Sequence, residues 1–166
     1  HLAKKGVDLM SEDINGETPL GYLLLYRKDY AGMVPDFLAL NFDINKLNKG
    51  GYSPAHYLVN NGDLNTLKIF INHKLNVNVV SSKLGNVNFS QYVFRESKNI
   101  EMINYMIELN LNLDIDINLA TPSEQLIYQN PNLDKKQKQE LVFQYLSKLL
   151  HKPTIVDDYM VKIQNE

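Results

Sequence analysis

The stretch GYSPAHYLVNNGD, residues 51–63, carries the signals that decide the fold. Ser53 is a hydroxyl residue suited to cap a helix, and Pro54 at the first helical position has no N–H to leave unbonded. The Asn-Gly pair at residues 61–62 ends the helix, because this dipeptide favours a turn. The sequence therefore predicts a short helix from Pro54 to about residue 60 and a second helix over about residues 64–73.

The same start signal recurs along the chain. GETPLG at residues 16–21 aligns with GYSPAH at residues 51–56, and weaker copies begin at Gly85 and Leu119. The aligned cap positions are spaced by 35, 34 and 34 residues: Thr18, Ser53, Val87 and Thr121. A fixed spacing in this range is typical of repeat proteins.

The ends of the predicted second helices repeat as well, at Gly6, Asn41, Lys74 and Asn110. Gly and Asn tolerate the left-handed conformation that terminates helices, whereas Lys74 is a poor fit. Two short antiparallel helices cannot bury an apolar face alone, so the copies should stack on one another as a solenoid.

A Gly-x-Thr-Pro-Leu-His start and a Gly-Ala-Asp-Val-Asn-like end, repeated about every 33 residues, resemble the ankyrin repeat. The resemblance covers about residues 5–150 and is strongest over residues 51–78. It implies an all-α repeat solenoid of stacked helix-turn-helix units, with short hairpin loops and a longer C-terminal capping helix. The sequence departs from the pattern at Gly21, where His is usual, and at Val87-Asn88, which replaces Thr-Pro.

The repeat boundaries follow from this alignment. Residues 1–150 form the predicted ankyrin-repeat domain, and residues 151–166 form a C-terminal tail. Within the domain we expect the end of a truncated repeat at 1–12, repeats at 13–45, 46–80 and 81–115, and a capping repeat at 116–150. Asp134 and Gln137 have the spacing of a capping box that would open the capping helix.

Composition excludes several classes of function. The net charge of −2 gives no electrostatic reason to expect a nucleic-acid partner. No apolar stretch approaches the roughly 18 residues that span a bilayer, so we expect no membrane insertion. The chain has no cysteine, which rules out disulfides and thiolate zinc sites and fits a cytoplasmic location. Its bias toward Lys and Asn is typical of A/T-rich codons and resembles effector proteins that intracellular bacteria deliver into the host-cell cytosol.

No combination of residues predicts catalysis, a metal or a cofactor. None of the four histidines pairs at metal-ligand spacing, and there is no Gly-rich phosphate loop. The carboxylate pairs Asp114/Asp116 and Asp157/Asp158 have nothing nearby that would separate their pKa values. The glycosylation-like triplet at residues 88–90 is better interpreted as a helix start.

His56 allows two interpretations. The ankyrin resemblance implies that its ring hydrogen-bonds to neighbouring backbone or hydroxyl groups and ties the first helix to the adjacent hairpin. A catalytic or metal-binding role would need partner residues that the sequence does not show.

The resemblance also implies a partner-binding surface made of the hairpin tips and the ends of the first helices. By position, the tips include Ile14, Lys49 and Lys83. Tyrosine and arginine are frequent interface anchors, although each aromatic could instead pack between repeats. The predicted partner-binding residues are Tyr26, Tyr52, Asn60, Phe94 and Arg95. We therefore expect a protein-protein interaction module for a partner protein that the sequence does not identify; the alternative is a targeting or substrate-docking arm of a larger multidomain enzyme.

Overall fold

A computed structural model of the chain describes residue 8 and residues 11–110 and 123–150. These parts of the chain are mostly helical, as expected. They contain eight α-helices and one short two-stranded antiparallel sheet. The truncated repeat predicted at 1–12 lies largely outside the described residues, as do the start of the capping repeat and the whole tail.

The chain forms two compact units, residues 1–92 and 93–166. The boundary falls inside the predicted repeat at 81–115. The elements of the first unit are α1 (Pro19–Tyr26), α2 (Val34–Ala39), α3 (Pro54–Asn61), α4 (Leu64–Asn72), β1 (Val80–Ser81) and β2 (Val87–Asn88), followed by the start of α5 (Phe89–Glu96). Those of the second unit are the rest of α5, then α6 (Ile100–Asn110), α7 (Ser123–Gln129) and α8 (Lys135–Leu150).

In the first unit, α3 is the central helix and packs against both α1 and α4. Leu20 and Leu24 of α1, Leu58 of α3 and Phe70 of α4 are completely buried. The helix pair α3–α4 has the predicted boundaries to within one residue at each end. Gly62 joins its two helices in the left-handed conformation, with φ 71°, as the Asn-Gly signal predicts.

Two of the four predicted left-handed helix ends are confirmed, whereas Asn110 is the last residue of α6 itself. Asn41 after α2 has φ 55°, and Lys74 after α4 has φ 68°. Lysine is unfavourable in this region because its Cβ approaches the following carbonyl oxygen. The repeated backbone geometry is therefore kept at Lys74 although the side chain does not suit it.

One predicted helix start is wrong by a residue. The α5 helix begins at Phe89, and Asn88 Oδ1 accepts from Gln91 N–H, so the cap is Asn88 and not Val87. Val87 instead belongs to β2, where it pairs with Ser81 of β1. The capping residues Thr18, Ser53 and Asn88 are thus spaced by 35 residues twice, which is more regular than the alignment indicated.

In the second unit, α8 packs against α6 and α7. Its core includes Met102, Ile103 and Met106 of α6 and Ile127 of α7, all with fully buried side chains. The predicted capping box is confirmed: Gln137 N–H donates to the Asp134 carboxylate, and Asp134 N–H donates to Gln137 Oε1, both at 2.9 Å.

Candidate functional site

His56 occupies the third position of α3 and bonds to the cap of its own helix. Its Nδ1 accepts from the Ser53 N–H at 2.9 Å and lies 2.9 Å from the Ser53 hydroxyl. The ring also packs edge-on against Phe89 and Tyr92, with centroid distances of 5.2 and 4.6 Å. It therefore joins the start of α3 to the start of α5, which agrees with the bracing role expected from the sequence.

The environment of His56 keeps its imidazole neutral. The residue is 2% exposed, and burial lowers its pKa to about 4 because the charged form loses its hydration. The hydrogen bond from Ser53 favours a proton on Nε2 rather than Nδ1. The ring is therefore neutral near pH 7 and can accept the hydrogen bond from Ser53.

Gln91 occupies the position of α5 that His56 occupies in α3. It accepts a hydrogen bond from the backbone N–H of the capping residue, as His56 does, but it has no titratable ring. Asn88 N–H donates to Gln91 Oε1 at 3.0 Å, and Gln91 N–H donates to Asn88 Oδ1 at 2.9 Å. In the first copy, the capping residue Thr18 makes a different pair of hydrogen bonds. Thr18 Oγ1 accepts from Gly21 N–H at 3.1 Å, and Thr18 N–H donates to the carboxylate of the preceding residue, Glu17, at 3.0 Å.

The Glu17 carboxylate occupies the space that a side chain at residue 21 would need. A Cβ at Gly21 would lie 1.8 Å from Glu17 Oε1. Glu17 is only 8% exposed and also accepts from the Asn48 amide at 2.7 Å and from the Tyr57 hydroxyl. Burial, followed by the interaction with Glu17, raises the pKa of the Tyr57 phenol. This buried polar cluster of Glu17, Asn48 and Tyr57 links the first copy to the second.

Tyrosine is the fourth residue of α1, α3 and α5: Tyr22, Tyr57 and Tyr92. Tyr57 donates to Glu17 of the copy before it, and Tyr92 donates to Asn60 Oδ1 of the copy before it at 3.1 Å. Tyr22 donates to Asp13 of its own turn at 2.7 Å and is 42% exposed.

The turns that precede these helices are also repeated and bonded to one another. Asp13 and Asn48 each use a side-chain oxygen to accept backbone N–H groups two and four residues further on. Lys49 N–H donates to the Asn15 carbonyl at 2.8 Å, which joins the first turn to the second. In the same way, the Asn61 amide at the end of α3 donates to the Leu24 carbonyl of α1 at 2.7 Å.

Three of the predicted partner-binding residues lie in the first unit, and they differ in how accessible they are to a partner protein. Tyr26 is 73% exposed and stacks on Tyr22 with centroids 5.8 Å apart. Tyr52 is half-buried and stacks on Tyr57 with centroids 6.1 Å apart. Asn60 is exposed, but its side-chain oxygen Oδ1 accepts from the Tyr92 hydroxyl. Tyr26 is the most accessible of the three.

The other two predicted residues lie in the second unit, and one of them needs correction. The Phe94 side chain is 0% exposed and packs against Tyr145, with centroids 6.2 Å apart, so it is a core residue and not a surface anchor. Arg95 is half-buried, and its Nε donates to the Glu96 carboxylate at 2.7 Å.

Sequence reasoning singled out Tyr26 but not Tyr22, which is also exposed and stacks on it. Tyr22, Leu25 and Tyr26 share one face of α1, and Leu25 and Tyr22 are each 42% exposed. Their spacing of three and four residues was visible in the sequence as an apolar helical stripe. It was not distinguishable there from the buried stripe formed by Leu20 and Leu24.

Among residue 8, residues 11–110 and 123–150, no group of three or more histidine or acidic side chains could hold a metal ion. No helix within these ranges is long and apolar enough to cross a membrane. The carboxylate pairs at Asp114/Asp116 and Asp157/Asp158 lie outside the described residues. No protein-family model matches the chain, and no curated protein is significantly similar to it.

Proposed function

We propose that this chain is a stack of ankyrin-like repeats that binds another protein and has no catalytic activity of its own. The observation that supports the stacking most strongly is the recurrence of one tyrosine at the fourth position of α1, α3 and α5. Tyr57 and Tyr92 each hydrogen-bond to the copy before them, through Glu17 and Asn60. The same helix position bonds to the preceding copy in both cases, once to a residue just before α1 and once to a residue near the end of α3. Contact between successive copies is what a repeat array requires.

The binding surface follows from what this stacking leaves accessible in the first unit. Side chains that join successive copies, such as Tyr57, are not available to contact a partner protein. Ile14 at the first turn is 84% exposed and Tyr26 at the end of α1 is 73% exposed. An exposed isoleucine and an exposed tyrosine provide apolar area that a partner protein can bury. We assign partner contact to this surface, the Ile14–Tyr26 surface.

A photo-crosslinking experiment tests this assignment. Benzoylphenylalanine is placed separately at Ile14, at Tyr26 and at Asn65, an exposed residue of α4. We expect the first two positions to crosslink to the same cellular protein and Asn65 to crosslink to nothing above background. Binding should fall at least ten-fold in the Ile14→Ser/Tyr26→Ser double variant, whereas the matched Asn65→Ser/Asn72→Ser variant on α4 should bind normally.

Equal crosslinking from Ile14, Tyr26 and Asn65 would indicate nonspecific contact and would refute the assignment. The same conclusion would follow if a partner bound the Ile14→Ser/Tyr26→Ser variant as tightly as the original chain. Circular dichroism of each variant would establish that lost binding does not reflect lost folding.

A further inference from the structure

A cleft in the first unit separates two of the predicted hairpin tips. It has a volume of about 500 Å³, with residues 47–49 and Gly51 on one side and residues 80–83 on the other. These two segments begin successive copies. The cleft therefore lies between the tip of one copy and the tip of the next.

Gly51 brings the two sides together. Its φ is 86°, and a Cβ there would lie 2.3 Å from Ser81 Oγ and 2.7 Å from Lys83 Cβ. Only glycine fits both the left-handed backbone and this close approach. The Gly51 N–H is already bonded to the Asn48 carbonyl at 2.9 Å, so it is not available to a ligand.

The side chains around the cleft favour a negatively charged group. Lys49 and Lys83 stand on opposite sides, are exposed, and make no ion pair within the described parts of the chain. Ser81 lines the wall and is 1% exposed, and its hydroxyl has no hydrogen-bond partner among the described residues. An unpaired buried hydroxyl is unusual, because most such groups are satisfied. None of the residues that line the cleft is acidic.

The apolar parts of the cleft favour a peptide over a free ion. Leu47 and Val80 contribute aliphatic surface on opposite sides, and Val80 is 42% exposed. A carboxylate between the two lysines would have room for a neighbouring apolar side chain against these residues. The net charge of −2 makes this a local cation pair on an acidic chain, unlike the broad basic surface that nucleic acid requires.

We propose that this cleft binds an acidic segment of the partner protein, with an aspartate or glutamate side chain between Lys49 and Lys83. The proposal rests on the protein-binding function proposed above and adds the chemistry of the partner. Exposed ion pairs are individually weak, so each lysine should change the affinity by roughly two- to five-fold, with strong dependence on salt.

Titrations followed by amide NMR on the ¹⁵N-labelled chain test the proposal. The probe is a capped peptide of alternating glutamate and leucine, and its control has glutamine in place of glutamate. We expect saturable shifts at Gly50, Gly51 and Ser81 with the glutamate peptide, little change with the glutamine peptide, and weaker binding at high salt. The Lys49→Gln/Lys83→Gln variant should bind at least four-fold more weakly, whereas Lys28→Gln/Lys98→Gln, which removes the same charge elsewhere, should bind normally.

Three results would overturn the cleft proposal. These are equal shifts with both peptides, unchanged affinity in Lys49→Gln/Lys83→Gln, and complete competition by an equal concentration of inorganic phosphate, which would indicate an ion site only. If the crosslinks from Ile14 and Tyr26 are found while the peptide fails, the protein-binding function stands and the acidic-segment proposal alone is refuted.

Discussion

Replacing Gly21 by alanine tests the relation between the glycine and the buried Glu17 carboxylate. Gly21 lies inside α1 and does not have positive φ. At an ordinary helical site, Gly→Ala stabilises a protein by about 1 kcal/mol. Here the new methyl group would lie 1.8 Å from Glu17 Oε1, so the carboxylate must move. We therefore expect the reverse sign.

The magnitude follows from the bonds that Glu17 would lose. Its carboxylate accepts from Thr18 N–H, from the Asn48 amide and from the Tyr57 hydroxyl. A hydrogen bond to a charged group contributes about 1.5–3 kcal/mol, but Asn48 and Tyr57 can still bond to each other. We take the net loss as about 3 kcal/mol. After the helical gain, Gly21→Ala should destabilise the protein by about 2 kcal/mol.

The test is a double-mutant cycle measured by urea unfolding with circular dichroism. In a Glu17→Ala background the clash is absent, so Gly21→Ala should stabilise by about 1 kcal/mol. The coupling energy is then about 3 kcal/mol, well above the error of such cycles. Gly32→Ala is the matched control, because no atom lies within 4 Å of a Cβ there, and it should change stability by less than about 0.5 kcal/mol.

The cycle also offers a rescue. Glu17→Ala/Gly21→His would reproduce the arrangement of the second copy, with the imidazole accepting from Thr18 N–H as His56 does from Ser53. It should be more stable than Gly21→His alone. The reasoning is refuted if Gly21→Ala has the same sign in both backgrounds.

Three further substitutions have definite expected outcomes in urea unfolding. The folded pKa of His56, about 4, lies below its ordinary value of 6.5, so the unfolded chain binds more protons between these pH values and stability falls as the pH falls. Between pH 7 and pH 5, the free energy of unfolding of His56→Gln should therefore fall by about 2 kcal/mol less than that of the original chain. Parallel pH dependence in the two proteins would contradict this. Lys74→Asn should stabilise by about 0.5–1 kcal/mol, because Asn tolerates φ 68° better, and Lys68→Asn within α4 should not; stabilisation by both would point to charge and not backbone. Asn130→Ala should destabilise the second unit by about 3 kcal/mol, since this fully buried amide donates to the Phe94 and Ser97 carbonyls; a loss no larger than that of the exposed Asn132→Ala would refute the assignment.

The features that could be predicted from sequence are the local ones. A cap such as Ser53 followed by Pro54, or a break such as Asn61-Gly62, acts within a few residues, so its signal is contained in a short window. The error at Val87 was also local. Asn88 and Gln91 have the spacing of a cap and its partner three residues later, whereas alignment to Thr-Pro places the cap one residue earlier.

The features that could not be predicted depend on residues far apart in the chain. Glu17 is charged and lies at a predicted hairpin tip, so the sequence predicts an exposed side chain. In the structure, Asn48 and Tyr57, which lie 31 and 40 residues away in the chain, donate hydrogen bonds to its carboxylate. Phe94 lies on an apolar helix face, and only the packing of Tyr145 shows that it is covered. The abundance of asparagine fits a codon bias, but Asn45, Asn61 and Asn130 bond to backbone groups 29 or more residues away.

Comparison of the copies supports the structural interpretation of His56. If the imidazole served for proton transfer or metal binding, a copy without a titratable group would lose the role. Gln91 stands at the same position of α5 and accepts the same backbone N–H, while Glu17 does so in the first copy. A ring, an amide and a carboxylate share only the ability to accept a hydrogen bond. The common requirement is therefore an acceptor for the N–H of the capping residue, and the chemistry particular to histidine is not needed for it.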